Sequence, residues 1–372
     1  MAAISNDVLQ QLSFATSGGP VCPQLRRLTW TSGRRWEHSR QFLSPHLVSV
    51  HFYVHDFRGN LGLDSVILPL PTTNLETLRL TGYPPRTVPI RSALSEVVQR
   101  LNTCFKRIDV RSSLSDAAWA RLAYLPKLES LAVSDTPSIE VLKSIPHELA
   151  FPVLEHVTLE LNDRYQHLPA LFSLLKSSPL QGVTIKESLR IRHVDAPSEV
   201  ATAIIKTELH QRIGTLVFTG FHSADLTSIS HLGPFNSLKK LVGDTQCQDH
   251  GECVFPFTDS DIERLASGLP QLVTLRLGHQ CEYGHVNITI KSMISLSTHC
   301  PSLDSLCLPC DLTNISEDIK LGSGEPDPRL KIRSSCVLRD LAFQWMIGPG
   351  NVEALGIMES AMRHLFPLLQ FT

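Results

Sequence analysis

The sequence predicts an α/β chain of stacked repeats, each a strand, a loop and a helix, and three observations carry that prediction. Leucine fills 55 of the 372 positions. One phrase, Pro-x-Leu-x-x-Leu-x-Leu, returns along the whole chain. Between its copies lie segments whose apolar residues recur at helical spacing. Together these define a leucine-rich-repeat solenoid, a horseshoe of about twelve repeats with parallel concave strands and outer helices.

The clearest copies of the phrase start at Pro126, Pro152, Pro270 and Pro301, with strand centres at Leu131, Val157, Leu275 and Leu306. Looser copies are centred on Leu28, Val50, Leu78, Ile108, Val183, Leu216, Leu241 and Leu341. Successive centres are 22, 28, 30, 23, 26, 26, 33, 25, 34, 31 and 35 residues apart, an irregular period at the long end for such repeats. The last two apolar positions of the phrase alternate with polar ones, as a half-buried strand requires. The first anchors the turn into that strand.

Helices fill the gaps. Thr258 with Asp261 three residues on forms a capping pair; Ile262, Leu265, Ala266 and Leu269 share one face, and Gly268-Leu269-Pro270 ends the helix. Ser115 to Pro126, Thr289 to Pro301 and Leu168 to Pro179 repeat the plan. A helix between successive strands makes the strands parallel and the crossovers right-handed. No such unit covers its own apolar face, so neighbours must stack.

Length alone would suggest two or three domains at ~150 residues each. The repeat instead predicts a single solenoid over residues 23–372, after an N-terminal cap over residues 1–22 with a helix from Asp7 to Phe14. Gly322 to Pro328 reads as an insertion between repeats, Val352 to Leu365 as a capping helix and Phe366 to Phe371 as a short closing strand.

With 34 Lys and Arg against 36 Asp and Glu, the formal charge is −2 and aromatics are 6%. That balance lacks the basic stripe and stacking residues of a nucleic-acid binder. No apolar run approaches the ~18 residues of a membrane span. The first residues show no basic segment before an apolar one, and the nine cysteines read as reduced thiols, so the expected location is cytoplasmic and/or nuclear.

Phe257 to Pro270, followed by Leu275-Arg-Leu-Gly278, resembles a recurring stretch of the leucine-rich-repeat F-box proteins of basidiomycete (mushroom-forming) fungi. So do His299 to Leu303 and Cys336 to Phe343, while Phe42 to Phe52 is similar to that family's second repeat. The resemblance spans about residues 22 to 371 and rests on framework motifs. It implies the substrate-recruiting repeat domain of a Skp-cullin-F-box ubiquitin ligase receptor. Family members usually open with an F-box that docks a Skp-type adaptor. About 22 residues precede the first repeat here, without the Leu-Pro-x-Glu-like phrase; Ile145 to Leu149 imitates it but runs straight into a repeat strand. Adaptor binding is therefore expected only if an F-box is present in the full-length protein.

Binding residues of a solenoid are the outward ones, alternate to the leucines. The candidates are Arg27, His51, Tyr53, Arg79, Arg107, Arg111, His156, Lys186, Lys240 and Arg276. The N-terminal half of this face is mildly basic and suited to steer an acidic partner. A second cluster comprises Cys247, His250, Cys253, His279, Cys281 and His285, in loops after the neighbouring strands at Leu241 and Leu275. Those donors suit tetrahedral zinc, the one cofactor the sequence suggests, although C-x5-C is wider than a zinc knuckle and reduced surface thiols are the alternative. The chain contains no nucleophile elbow, phosphate loop, dinucleotide fingerprint or H-E-x-x-H helix. The expectation is a non-catalytic protein–protein interaction module; the alternatives are a stand-alone scaffold and a zinc-stabilised binding protein.

Overall fold

In the computed structural model the described residues are 8, 11, 19–32, 36–54, 62–82, 88–161, 165–187, 196–221, 229, 232–245, 253–278, 283–310 and 340–345. They belong to two compact units, Met1–Leu180 and Gln181–Thr372. Each is α/β, built on an open parallel sheet, and is consistent with stacked repeats.

The first unit contains β1 (Arg27–Ser32), β2 (Ser49–Val54), β3 (Thr77–Gly82), β4 (Arg107–Val110), β5 (Ser130–Ser134) and β6 (His156–Leu161). They pair in chain order, all parallel. Its helices are α1 (Leu63–Ile67), α2 (Val88–Gln99), α3 (Asp116–Ala123), α4 (Ile139–Ser144) and α5 (Leu168–Leu174), with 3-10 turns such as Trp36–Phe42 between them. The register aligns Leu28, Val50, Leu78, Ile108, Leu131 and Val157 in one row. All six predicted centres therefore lie side by side, and all are buried.

The second unit contains β7 (Gly182–Glu187), α6 (Ala196–Lys206), β8 (Thr215–Phe221), β9 (Lys240–Thr245), β10 (Cys253–Thr258), α7 (Asp259–Gly268), β11 (Thr274–Leu277), β12 (Tyr283–Asn287), α8 (Ile290–His299), β13 (Ser305–Cys310) and β14 (Asp340–Trp345). The main sheet runs β7-β8-β9-β11-β13-β14, again parallel, with Val183, Leu216, Leu241, Leu275, Leu306 and Leu341 in one row. β10 and β12 form a separate two-stranded parallel ribbon. The sequence reading put loops at Cys247–Cys253 and His279–His285, yet Cys253 opens β10 and Tyr283 to His285 lie in β12. Of the expected helix from Asp7 to Phe14 only Val8 and Gln11 are described, both helical; the insertion at Gly322, the C-terminal helix and the closing strand lie outside the described residues.

The proline of the repeat phrase has a defined job. In Leu125-Pro-Lys-Leu128, Phe151-Pro-Val-Leu154, Leu269-Pro-Gln-Leu272 and Cys300-Pro-Ser-Leu303 the fourth residue's N–H donates to the first residue's carbonyl, at 3.4, 3.3, 3.1 and 3.1 Å. These are β-turns with proline at the second position, where its fixed φ is preformed. Ser44-Pro-His-Leu47 and Cys22-Pro-Gln-Leu25 close the same way, at 3.1 and 3.0 Å. Apart from Cys22–Leu25, which leads into β1, each turn delivers a strand start whose two consecutive N–H groups share one carbonyl at the start of the preceding strand. Glu129 and Ser130 donate to Lys106, Glu155 and His156 to Glu129, and Val273 and Thr274 to Lys239.

Glycine is required where a strand end meets its neighbour. Gly82 closes β3 at φ 91°, and a Cβ there would lie 2.1 Å from the Val54 carbonyl oxygen. Gly220 in β8, at φ 83°, would bring one within 2.9 Å of the Glu187 oxygen.

Aromatic side chains fill the wider gaps between helices and sheet. Trp36 meets Phe52 edge-on at 5.7 Å in the first unit, and Phe218 meets Phe221 at 5.8 Å in the second. Helix starts are tied from one repeat to the next. The Ser95 hydroxyl accepts from Ser115 N at 2.8 Å, and Asp116 accepts from Ser138 N at 3.1 Å. Asp259, in the first turn of α7, accepts from Thr289 N at 2.8 Å, the Thr289 hydroxyl at 2.7 Å and the Ser292 hydroxyl at 2.5 Å. Thr258 caps α7 itself, in the reciprocal arrangement with Asp261 that the sequence predicts.

Replacing Asp259 by alanine strands the buried Ser292 hydroxyl and the Thr289 N–H, at an expected cost of about 1–3 kcal/mol. Urea denaturation measures it; a midpoint unchanged from the parent chain contradicts the inter-repeat tie.

Candidate partner-binding surface

Strand alternation decides which side chains face away from the helices. In β2 the pattern is half-buried Ser49, buried Val50, half-buried His51, buried Phe52, exposed Tyr53 and buried Val54. The register then sets the outward residues of the first unit in rows. One row is Arg27, Ser49, Thr77, Arg107, Ser130, His156; the next is Thr29, His51, Arg79, Asp109, Ala132, Thr158. Tyr53 and Thr81 share a third row on β2 and β3. Arg111 follows the end of β4 and is half-buried. Arg27, His51, Tyr53, Arg79, Arg107 and His156 are thus brought onto one sheet face.

Row neighbours interact as cross-strand pairs. Arg79 reaches Asp109 at 3.5 Å, with the arginine side chain 53% exposed. Arg107 reaches Glu129 at 3.6 Å and remains 66% exposed. Among the described residues, Arg27 and Arg111 form no ion pair. His51 Nε2 lies 2.7 Å from the Thr81 hydroxyl, and its ring meets Tyr53 edge-on at 6.5 Å. Burial lowers the His51 pKa below its ordinary 6.5; the Arg79 charge lowers it further and Asp109 opposes both. At the edge of the face Lys106 and Glu76 pair at 2.9 Å. Their hydrogen bond is the main cause that raises the Lys106 pKa and lowers that of Glu76.

The second unit's outward face has a different character. Lys240 and Thr274 share a row with Thr215 and Ser305, and the next row reads Thr184, Val217, Val242, Arg276, Cys307, Ala342. Lys186 lies level with Thr219. Arg276 is exposed in a row otherwise largely apolar. Cys307, on β13, is partly sequestered, and that burial raises its thiol pKa; Arg276 works against the shift and Asp244 adds to it. The buried Cys310 closes the same strand. Both cysteines therefore belong to a strand.

Of the metal candidates, Cys247, His250, His279 and Cys281 lie outside the described residues. Cys253 and His285 are placed by backbone alone: Cys253 pairs with Tyr283, and Val254 pairs with His285. Among the described residues no three His, Cys, Asp or Glu side chains are grouped to hold a metal ion. No helix among them is long and apolar enough to cross a membrane.

Alternation selects the arginines and also Asp109, which pairs with Arg79. Thr81, the partner of His51, was omitted although it is the outward position two residues after Arg79. Glu129 precedes its strand and becomes relevant only through the register. No protein-family model matches this chain, and no match was found among curated proteins.

The depressed His51 pKa has a consequence for stability. Its imidazole is favoured neutral in the fold, so its contribution is complete above the ordinary histidine range and is lost as pH falls through the lower folded value. His51→Gln should therefore lose less stability than the parent chain between about pH 7.5 and about pH 5.5. Urea midpoints at the two pH values test this; identical losses in the two proteins count against it.

Proposed function

We propose that the chain is a non-catalytic protein–protein interaction module: a leucine-rich-repeat solenoid of about twelve units whose helix-free concave face holds another protein. The reading goes further, to the substrate-recruiting domain of an F-box-type receptor in a Skp-cullin-F-box ubiquitin ligase, acting in the cytoplasm and/or nucleus. The observation that carries the interaction role is the in-register array of exposed Arg27, Tyr53, Arg79 and Arg107 on the outward side of neighbouring strands. Parallel strands that present successive polar rows offer an extended surface, and surface specificity of that kind needs no catalytic group. The ubiquitin link is supported by the resemblance of Phe257–Pro270 and His299–Leu303 to the fungal receptors.

The ligase reading is tested with epitope-tagged protein expressed from the complete gene in its own cells. Recovery of a Skp-type adaptor on precipitation is expected, and its loss when any F-box preceding Met1 is deleted. Failure to recover the adaptor in either form removes the ligase and leaves a stand-alone scaffold.

One observation favours zinc stabilisation as a second reading. Segments 246–252 and 279–282 start after the adjacent strands β9 and β11 and end at the adjacent strands β10 and β12. Cys247, His250, His279 and Cys281 thus fall between shared endpoints, and Cys253 and His285 belong to the paired strands that follow. Mass-spectrometric metal analysis of protein purified without chelator should find about one zinc per chain. Metal-free protein with full thermal stability removes this reading.

A further inference from the structure

The outward face of β1–β6 carries four cations, Arg27, Arg79, Arg107 and Arg111, against Asp109 and Glu160 on the strands and Glu129, which reaches Arg107 from just before β5. That excess of one positive charge sits on a chain whose formal charge is −2. The basic character is therefore local to this face. Every cation on it is an arginine, whose planar fork matches carboxylate geometry and sheds water more readily than an ammonium.

Spacing narrows the ligand. Arg27 and Arg107 occupy one register row three strands apart, which at ~4.8 Å per strand is roughly 14 Å. An extended chain covers that distance in about four residues. Arg79 lies between them on β3, one row further along. Recognition of one phosphate gathers several cations on one group, whereas these arginines are distributed like the carboxylates of an extended acidic segment. Between them are Ser49, Thr77 and Ser130, hydroxyl groups able to pair with a passing backbone. Among the described residues at these outward positions Tyr53 is the one large hydrophobic side chain that is exposed, at 38%. The face favours a polar occupant.

We propose that this face docks an extended acidic segment of a partner protein, with glutamate or aspartate carboxylates about three to four residues apart engaging Arg27, Arg79 and Arg107. The proposal rests on the interaction reading above and names the chemistry of the partner.

Two measurements test it. The first is fluorescence anisotropy with a labelled peptide of about ten residues bearing glutamate at every third position. Its glutamine counterpart and a phosphoserine version with the other glutamates replaced are the comparisons. The glutamate peptide should bind, with affinity falling at least about tenfold in Arg27→Glu/Arg107→Glu and falling with added salt. Both sites are exposed, so the variant should keep its thermal midpoint; if it does not, Arg27→Gln/Arg107→Gln should still weaken binding several-fold. Equal binding of the glutamine peptide, tighter binding of the phosphoserine peptide, or no effect of either variant overturns the proposal.

The second measurement places a photocrosslinking residue at Tyr53 in the source cells and maps the captured segment by mass spectrometry. Capture through an acidic stretch supports the proposal. Capture through a non-acidic stretch, with no glutamate-peptide binding, overturns the proposal but keeps the interaction role. No capture and no peptide binding overturns both.

Discussion

The structure depends on one repeated hydrogen-bond arrangement: two consecutive N–H groups at a strand start converge on one carbonyl of the strand before. Val48 and Ser49 donate to Arg26 in this way, and Lys239 and Lys240 donate to Gly214. The arrangement fixes register at its first residue, and a slip of one residue would turn each leucine row outward. A turn must bring the chain to that point at one angle. Proline supplies it in Leu125–Leu128 and Leu269–Leu272, because its φ is set before folding begins. The leucine that follows is fully buried in both cases, which anchors the turn against the core.

Register also makes the surface. Arg79 and Asp109 are 30 residues apart in sequence and become row neighbours because Leu78 and Ile108 do. The interior that holds the strands together thus dictates which polar groups meet outside. Arg79 is partly neutralised by Asp109 and Arg107 by Glu129, whereas Arg27 at the sheet edge meets no carboxylate among the described residues. The sequence alone grouped these arginines as outward positions. The fold distinguishes the two that are oriented by a carboxylate.

The twelve strand centres were legible because the phrase combines two independent constraints, a turn and a two-residue alternation, in eight residues. The capped helices were legible for a similar reason: Thr258 with Asp261 and Ser115 are local signals. β10 and β12 were not. Cys253-Val-Phe-Pro-Phe-Thr258 carries Pro256 and lacks the leucine phrase, and its pairing partner begins 30 residues later. Pro256 is tolerated because a two-stranded ribbon leaves each strand one unpaired edge. The ties from Asp259 to Thr289 and Ser292 were hidden too, since each is a polar residue of no note until stacking places one helix start beside the next.

Charge at this surface is set row by row and not by the chain's total. A formal charge of −2 says nothing about where the field points. Alternation sends every second strand residue outward, so a few arginines at the same phase of neighbouring strands add their fields on one side of a sheet. Leu28 and Ile108 on β1 and β4 keep Arg27 and Arg107 outward, and burial of those leucine-phase residues opposes any rotation of the strand. The electrostatic pattern is therefore as stable as the core beneath it. The acidic segment proposed above would be extended for the same reason, because the spacing it meets is set by strands about 4.8 Å apart.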